Sequence, residues 1–123
     1  MLNMWVGIGE VTEVSEPKTV GDSGNQVLQF KFLTYDMWNG VRTDTTHQIT
    51  VWGKNVTTFL TNFKAGDYLE IRGQIKTQSW IDKNNGERRY RTYVQANGIK
   101  GCDFSGIMLK QLDTNKETGD LFQ

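Results

Sequence analysis

The sequence predicts an all-β fold: a curved five-stranded Greek-key barrel with one short helix between the third and fourth strands. Three observations predict it. Strand-period alternation recurs along most of the chain, glycine-rich turns separate the alternating segments, and a helical stripe appears once. Val, Thr, Ile and aromatic residues are frequent, and 13 Gly accompany a single Pro. That mixture favours strands joined by glycine turns. The 123 residues fit one domain with a modest core. The expected division is a domain over residues 1–112 and a short acidic tail over 113–123.

Taken in order, residues 4–14 read as the first strand, with Gly7 and Gly9 permitting sharp curvature. A loop over residues 15–25 holds Pro17, Gly21 and Gly24. In residues 27–34, Leu28, Phe30 and Phe32 point one way and Gln29 and Lys31 the other, which is a half-buried strand. Residues 36–44 form a polar stretch containing Trp38 and the turn pair Asn39-Gly40. The third strand spans residues 47–52: Ile49 and Val51 share one face, and Gln48, Thr50 and Trp52 the other. In residues 55–64 the period changes. Val56, Phe59, Leu60 and Phe63 make one apolar helical stripe. Ala65-Gly66-Asp67 then turns the chain. Residues 67–73 alternate with Leu69 and Ile71 inward, and residues 74–82 continue the strand. Asn84-Asn85-Gly86 marks a hairpin. Residues 88–96 return, with Tyr90, Thr92, Val94 and Ala96 on the core side and Arg89, Arg91, Tyr93 and Gln95 opposite. One helix after the third strand is the order of the OB-fold.

Formal net charge is zero, so total charge points to no partner. Its distribution is uneven. Between Arg72 and Arg91 lie six basic residues (Arg72, Lys76, Lys83, Arg88, Arg89, Arg91) and two acidic ones (Asp82, Glu87). The tail carries Asp113, Glu117 and Asp120 against Lys116. The lone cysteine, Cys102, excludes an intrachain disulfide and a multi-cysteine metal site. No apolar run approaches the ~20 residues that span a bilayer. The N-terminus lacks a signal-peptide pattern. A cytoplasmic protein is therefore expected.

The informative residues are tryptophans out of phase with the core. Trp52 sits with Gln48 and Thr50, and Trp80 with Lys76 and Gln78. A large aromatic on a polar strand face is a liability unless something covers it. A nucleobase is a fitting cover, because stacking contributes roughly 1–3 kcal/mol per base and demands no sequence. Lys54, Lys76, Arg72, Arg89 and Arg91 are placed to hold phosphates beside the rings. Other readings stand beside this one. Trp52 also suits a subunit interface, Trp38 also suits burial under its loop, and Trp5 suits core, interface or ligand alike. Tyr90 reads as core from its phase. Tyr68 and Tyr93 face outward without a partner evident from the sequence. The charged hairpin also suits a merely solvated surface.

Catalytic patterns are missing. His47 is the single histidine and reads as a hydrogen-bonded structural residue. No Cys/His cluster offers metal ligands. No glycine loop precedes Lys-Ser or Lys-Thr, so phosphate-loop chemistry is unsupported. Asp36, Asp44, Asp82 and Glu87 are turn or loop acids without visible pairing. Neither an enzymatic activity nor a cofactor is expected.

Four pieces together resemble the bacterial single-stranded DNA-binding protein family, whose likeness covers most of residues 3–100. They are THQITVWGK (46–54), FKAGDYLEIRGQIKT (63–77), WIDK (80–83) and RYRT (89–92). The resemblance implies an OB-fold that binds single-stranded DNA in replication, recombination and repair. It implies that Trp38, Trp52 and Trp80 stack on bases, with Lys54, Lys76 and Arg89 lining the groove. Trp52 stands where many members have phenylalanine. Thr46 stands where the family usually has tryptophan, and Gln78 and Ser79 replace positions that are often basic. The hairpin at Asn84-Asn85-Gly86 is one residue longer than in common members.

The tail departs further. Members usually have a long linker and an acidic tip ending in Pro-Phe that recruits replication and repair proteins. Here Asp120, Leu121 and Phe122 resemble that tip, but Gln123 follows the phenylalanine. A short acidic tail is more often simply solvated. The resemblance implies a homo-oligomer, commonly a tetramer and in some members a dimer, and the compact chain suits a phage or plasmid member. The alternative is a replication accessory module on the same fold whose main partner is a protein. RNA binding also stays open.

Overall fold

Alternation of Leu28, Phe30 and Phe32 with Gln29 and Lys31 builds the strand around which the barrel closes. The structure is a computed structural model, and it describes residues 1–22 and 24–102. Its elements are β1 (Trp5–Val14), β2 (Lys18–Val20), β3 (Asn25–Trp38), β4 (Val41–Trp52), α1 (Lys54–Asn62), β5 (Tyr68–Ile81) and β6 (Arg88–Cys102). The sheet runs β1-β5-β6-β4-β3-β2, and pairing of β1 with β3 closes it. All pairings are antiparallel except β4 with β6. Five strands thus form a closed OB-fold barrel. The three-residue β2 lies beside β3 within the segment expected to be loop. The helix follows the third barrel strand, as the sequence predicts.

Inside the barrel, Val11, Leu28, Phe30, Phe32, Ile49, Val51, Leu69 and Ile71 are sealed from solvent. Each fully buried large side chain contributes about 1.5–3 kcal/mol. Helix α1 plugs one end. Its Val56 and Phe59 are buried, and Phe59 stacks on Phe30 with ring centroids 4.6 Å apart. Phe63 is half-buried against the core, but Leu60 is exposed. The apolar stripe is therefore narrower than its sequence pattern. The chain leaves the helix through Gly66, whose φ of 97° favours glycine. The Gly66 N–H donates to the Val11 carbonyl at 2.7 Å, tying this turn to β1.

Two glycines are fixed by close approach. A Cβ at Gly9 would lie 2.1 Å from the Leu33 carbonyl oxygen, and one at Gly73 would lie 2.2 Å from that of Gln95. β1 can therefore cross β3, and β5 can shift register on β6 between Arg72 and Gly73, only with bare backbone there.

The structure corrects two sequence readings. The polar stretch over residues 36–44 is strand. The β3–β4 ladder runs to Trp38 opposite Val41. Asn39 (φ 49°) and Gly40 (φ 77°) make a two-residue hairpin turn, whose positive φ values match the strand twist. Polarity here reports a ribbon that projects past the barrel with both faces wet. Tyr90 is the second correction: it is 67% exposed, although its phase is that of Val94 and Ala96. Near its tip the β5–β6 hairpin has also left the barrel, so the inward phase meets no core.

The expected boundary at residue 112 and the tail residues Asp120, Leu121 and Phe122 lie outside the described residues.

Candidate nucleic-acid interface

On β4 the core phase places Ile49 and Val51 inward, so Thr50 and Trp52 face outward. Antiparallel pairing sets Val27 opposite Trp52 and Gln29 opposite Thr50 on that same outer face. On the β5–β6 hairpin, register puts Lys76 beside Tyr93, Gln78 beside Arg91 and Trp80 beside Arg89. Opposed residues of an antiparallel pair share a face. The two faces meet in an open groove of about 380 Å³. Val20, Val27, Gln29, Thr50 and Trp52 line one side, and Thr77, Gln78, Arg91 and Tyr93 the other.

The groove's polar groups are incompletely paired. Arg91 donates from Nη2 to Gln78 Oε1 over 3.4 Å, and its guanidinium lies 5.9 Å from the Tyr93 ring centre. Buried polar atoms normally have partners. Arg91 Nε and the hydroxyl of Thr50, a residue only 3% exposed, are sealed and have none among the described residues. Trp52 remains 39% exposed at the groove wall. A concave site with an open indole beside a cation suits a planar, anionic ligand.

The eight residues singled out from the sequence fall in different places. Trp52 and Arg91 line the groove. Lys76, Trp80 and Arg89 share the hairpin face that borders it, and Trp80 is 43% exposed. Arg89 also donates from Nε to Asp82 at 3.1 Å, so part of its charge is already matched and Asp82 is paired after all. Lys54 begins α1, two residues after Trp52, and is exposed. Arg72 is exposed but pairs with Val6 and Gly98, below the register shift and away from the groove lining. Trp38 is 76% exposed at the far tip of the β3–β4 hairpin and is not buried under a loop.

Trp5, left open by the sequence, packs on the core edge-on to Phe32 and His47, with centroid distances of 6.4 and 5.1 Å. His47 is hydrogen-bonded through Nε2 to Thr34 Oγ1 at 2.8 Å, and burial lowers its pKa. It is a structural residue.

Other residues around the groove and on the β3–β4 ribbon carry little sequence signal of the contacts they make. Thr50 carried the outward phase, but nothing showed that its hydroxyl would be sealed. Tyr93 lines the groove beside Arg91. Arg42 lies 4.3 Å over the Tyr35 ring centre and donates from Nε to Asp44 at 2.6 Å. That contact depends on cross-strand register, which leaves no local signal.

A second cavity, about 140 Å³, lies between α1 and β6 near Phe59, Phe63 and Ile99, and none of its described lining residues is charged. Among the described residues, no group of three or more His, Cys, Asp or Glu is placed to hold a metal ion. No described helix is long and apolar enough to cross a membrane.

Comparison with known proteins adds three findings. The model of the single-strand binding protein family matches residues 2–101. "Single-stranded DNA-binding protein 1" of Chlorobaculum tepidum is 30% identical over 77 residues, which is 58% of this chain and 48% of that protein. The chain thus spans about half the length of this curated relative. A solved structure described as "Plasmodium falciparum SSB complex with ssDNA" matches with a TM-score of 0.71 and 20% identity, covering 84% of this chain and 96% of that one. At that identity the likeness concerns the fold.

Proposed function

The chain belongs to the single-strand binding protein family, and from that premise we propose that it binds single-stranded DNA without regard to sequence. Bases stack on Trp52 and Trp80, while Arg91, Lys76, Arg89 and Lys54 meet the phosphates. Trp38, opposite Val41 in the register, lies on the other face of the second hairpin and meets DNA that passes around its tip, and Arg72 adds charge at the margin. The observation that carries this reading is the groove: an open indole on one wall and a guanidinium on the other. Stacking accepts any base, so affinity comes with little sequence preference. Phosphate contacts make it fall as salt rises. The protein acts by binding, with no catalysed step, and serves to cover and protect DNA during replication, recombination and repair in the cytoplasm. It works as a homo-oligomer.

Titration with poly-dT at low salt, following tryptophan fluorescence, tests the central reading. Quenching that saturates and reverses with added salt is the expected result. Unchanged fluorescence across the titration would reject it. Mass measured in the same buffer gives the oligomer number, and competition by poly-U separates DNA from RNA preference.

A further inference from the structure

The outer face of the β3–β4 ribbon continues past the groove. From Val27–Trp52 and Gln29–Thr50 the register steps through Lys31–Gln48 and Leu33–Thr46 to Tyr35–Asp44 and Met37–Arg42. Opposed pairs two residues apart share a face. Tyr35 and Arg42 therefore lie on the same side of the ribbon as Trp52. Thr50 and Asp44 are six strand steps apart, a run of roughly 20 Å at strand rise. That length falls within the tract that one such barrel can engage.

We infer that Arg42, held over the Tyr35 ring, is a second base-stacking platform for single-stranded nucleic acid. Its guanidinium is fixed on two sides, by the ring at 4.3 Å and by Asp44 at 2.6 Å. Even so, 52% of the Arg42 side chain stays open to solvent. A guanidinium is planar, and bases stack on such planes as they do on aromatic rings. Fixing the plane before binding removes much of the entropy lost when a free arginine is captured. Because Asp44 already matches the charge, the pair offers a flat surface more than a net cation. This distinguishes Arg42 from Arg91, whose hydrogen-bond partner is the neutral Gln78 amide. The inference rests on the single-strand-binding reading and extends its ligand path along β3–β4.

The test compares wild type with Arg42→Ala and Arg42→Lys in poly-dT titrations over a range of salt, read by tryptophan fluorescence. Thermal melts confirm that each variant folds. A wild type that fails to bind poly-dT refutes the proposed function itself, before any variant is considered. If wild type binds, Arg42→Ala is expected to weaken affinity roughly ten-fold. The slope of log affinity against log salt should stay unchanged, and Arg42→Lys should fail to restore binding, since it keeps charge but not the plane. Unchanged affinity in Arg42→Ala overturns the inference. So does rescue by lysine with a slope in Arg42→Ala smaller by about 0.7, the mark of a single phosphate contact.

Discussion

Trp52 stands opposite Val27 on the outer face of the barrel, while one step along the same ladder Val51 and Leu28 are sealed in the core. A single residue of phase separates a packing side chain from an outward-facing one. Truncating Trp52 should therefore leave the fold intact. Trp52→Ala is expected to weaken poly-dT binding by about 1–3 kcal/mol, with a melting temperature close to wild type. Trp80→Ala should behave alike, because Trp80 also projects from a strand outside the core. Fluorescence titration and a thermal melt check both halves. A large loss of stability with unaltered affinity would assign the rings to packing.

Thr50 gives a prediction of opposite sign for stability. Its hydroxyl is buried without a partner among the described residues, and a buried unsatisfied group is destabilising by roughly 1–3 kcal/mol. Valine has nearly the same shape and no hydroxyl. Thr50→Val should leave stability unchanged or raise it by about 1 kcal/mol. Urea denaturation measures this, and a fall of the midpoint would mean the hydroxyl has a structural partner.

Gly9 passes directly against the Leu33 carbonyl, with space for no Cβ. The obstacle is backbone, so it cannot swing aside as a flexible side chain would. Gly9→Ala should separate β1 from β3 locally, destabilising by about 1–3 kcal/mol. At Gly98, where an added Cβ meets nothing within 4 Å, alanine should be far milder. Paired thermal melts compare them, and equal effects would refute the steric account.

His47 makes stability depend on pH. Burial lowers its pKa, so the folded chain binds a proton there less readily than the unfolded chain. The stabilisation is complete above the ordinary histidine value of about 6.5. It is lost as pH falls below that value towards the folded pKa, because the unfolded state takes up the proton first. Denaturation midpoints should drop between roughly pH 7 and 5. In His47→Gln the drop over that window should shrink. An identical profile in the variant would exclude His47 as the cause.

Much of the fold was legible because its signals are local. Leu28, Phe30 and Phe32 declare a half-buried strand by themselves, and Val56, Phe59 and Phe63 declare the helix. The same parity marked Trp52 and Trp80 as outward. Parity misled at Tyr90, since phase names a side of the strand but not whether a core exists on that side. Polarity misled over residues 36–44, because a strand that projects into solvent has no apolar face to reveal it.

By itself the sequence determined the alternation, the turns and the helix position, and so the barrel and the phase of its tryptophans. These follow from steric rules that act between near neighbours along the chain. Only the tertiary structure decided which outward residues meet. Strand register brought Arg91 and Tyr93 across a groove from Trp52, seated Arg42 over Tyr35, and left Arg72 and Trp38 apart. Such encounters depend on how distant strands align and curve, and no short stretch of sequence contains that information.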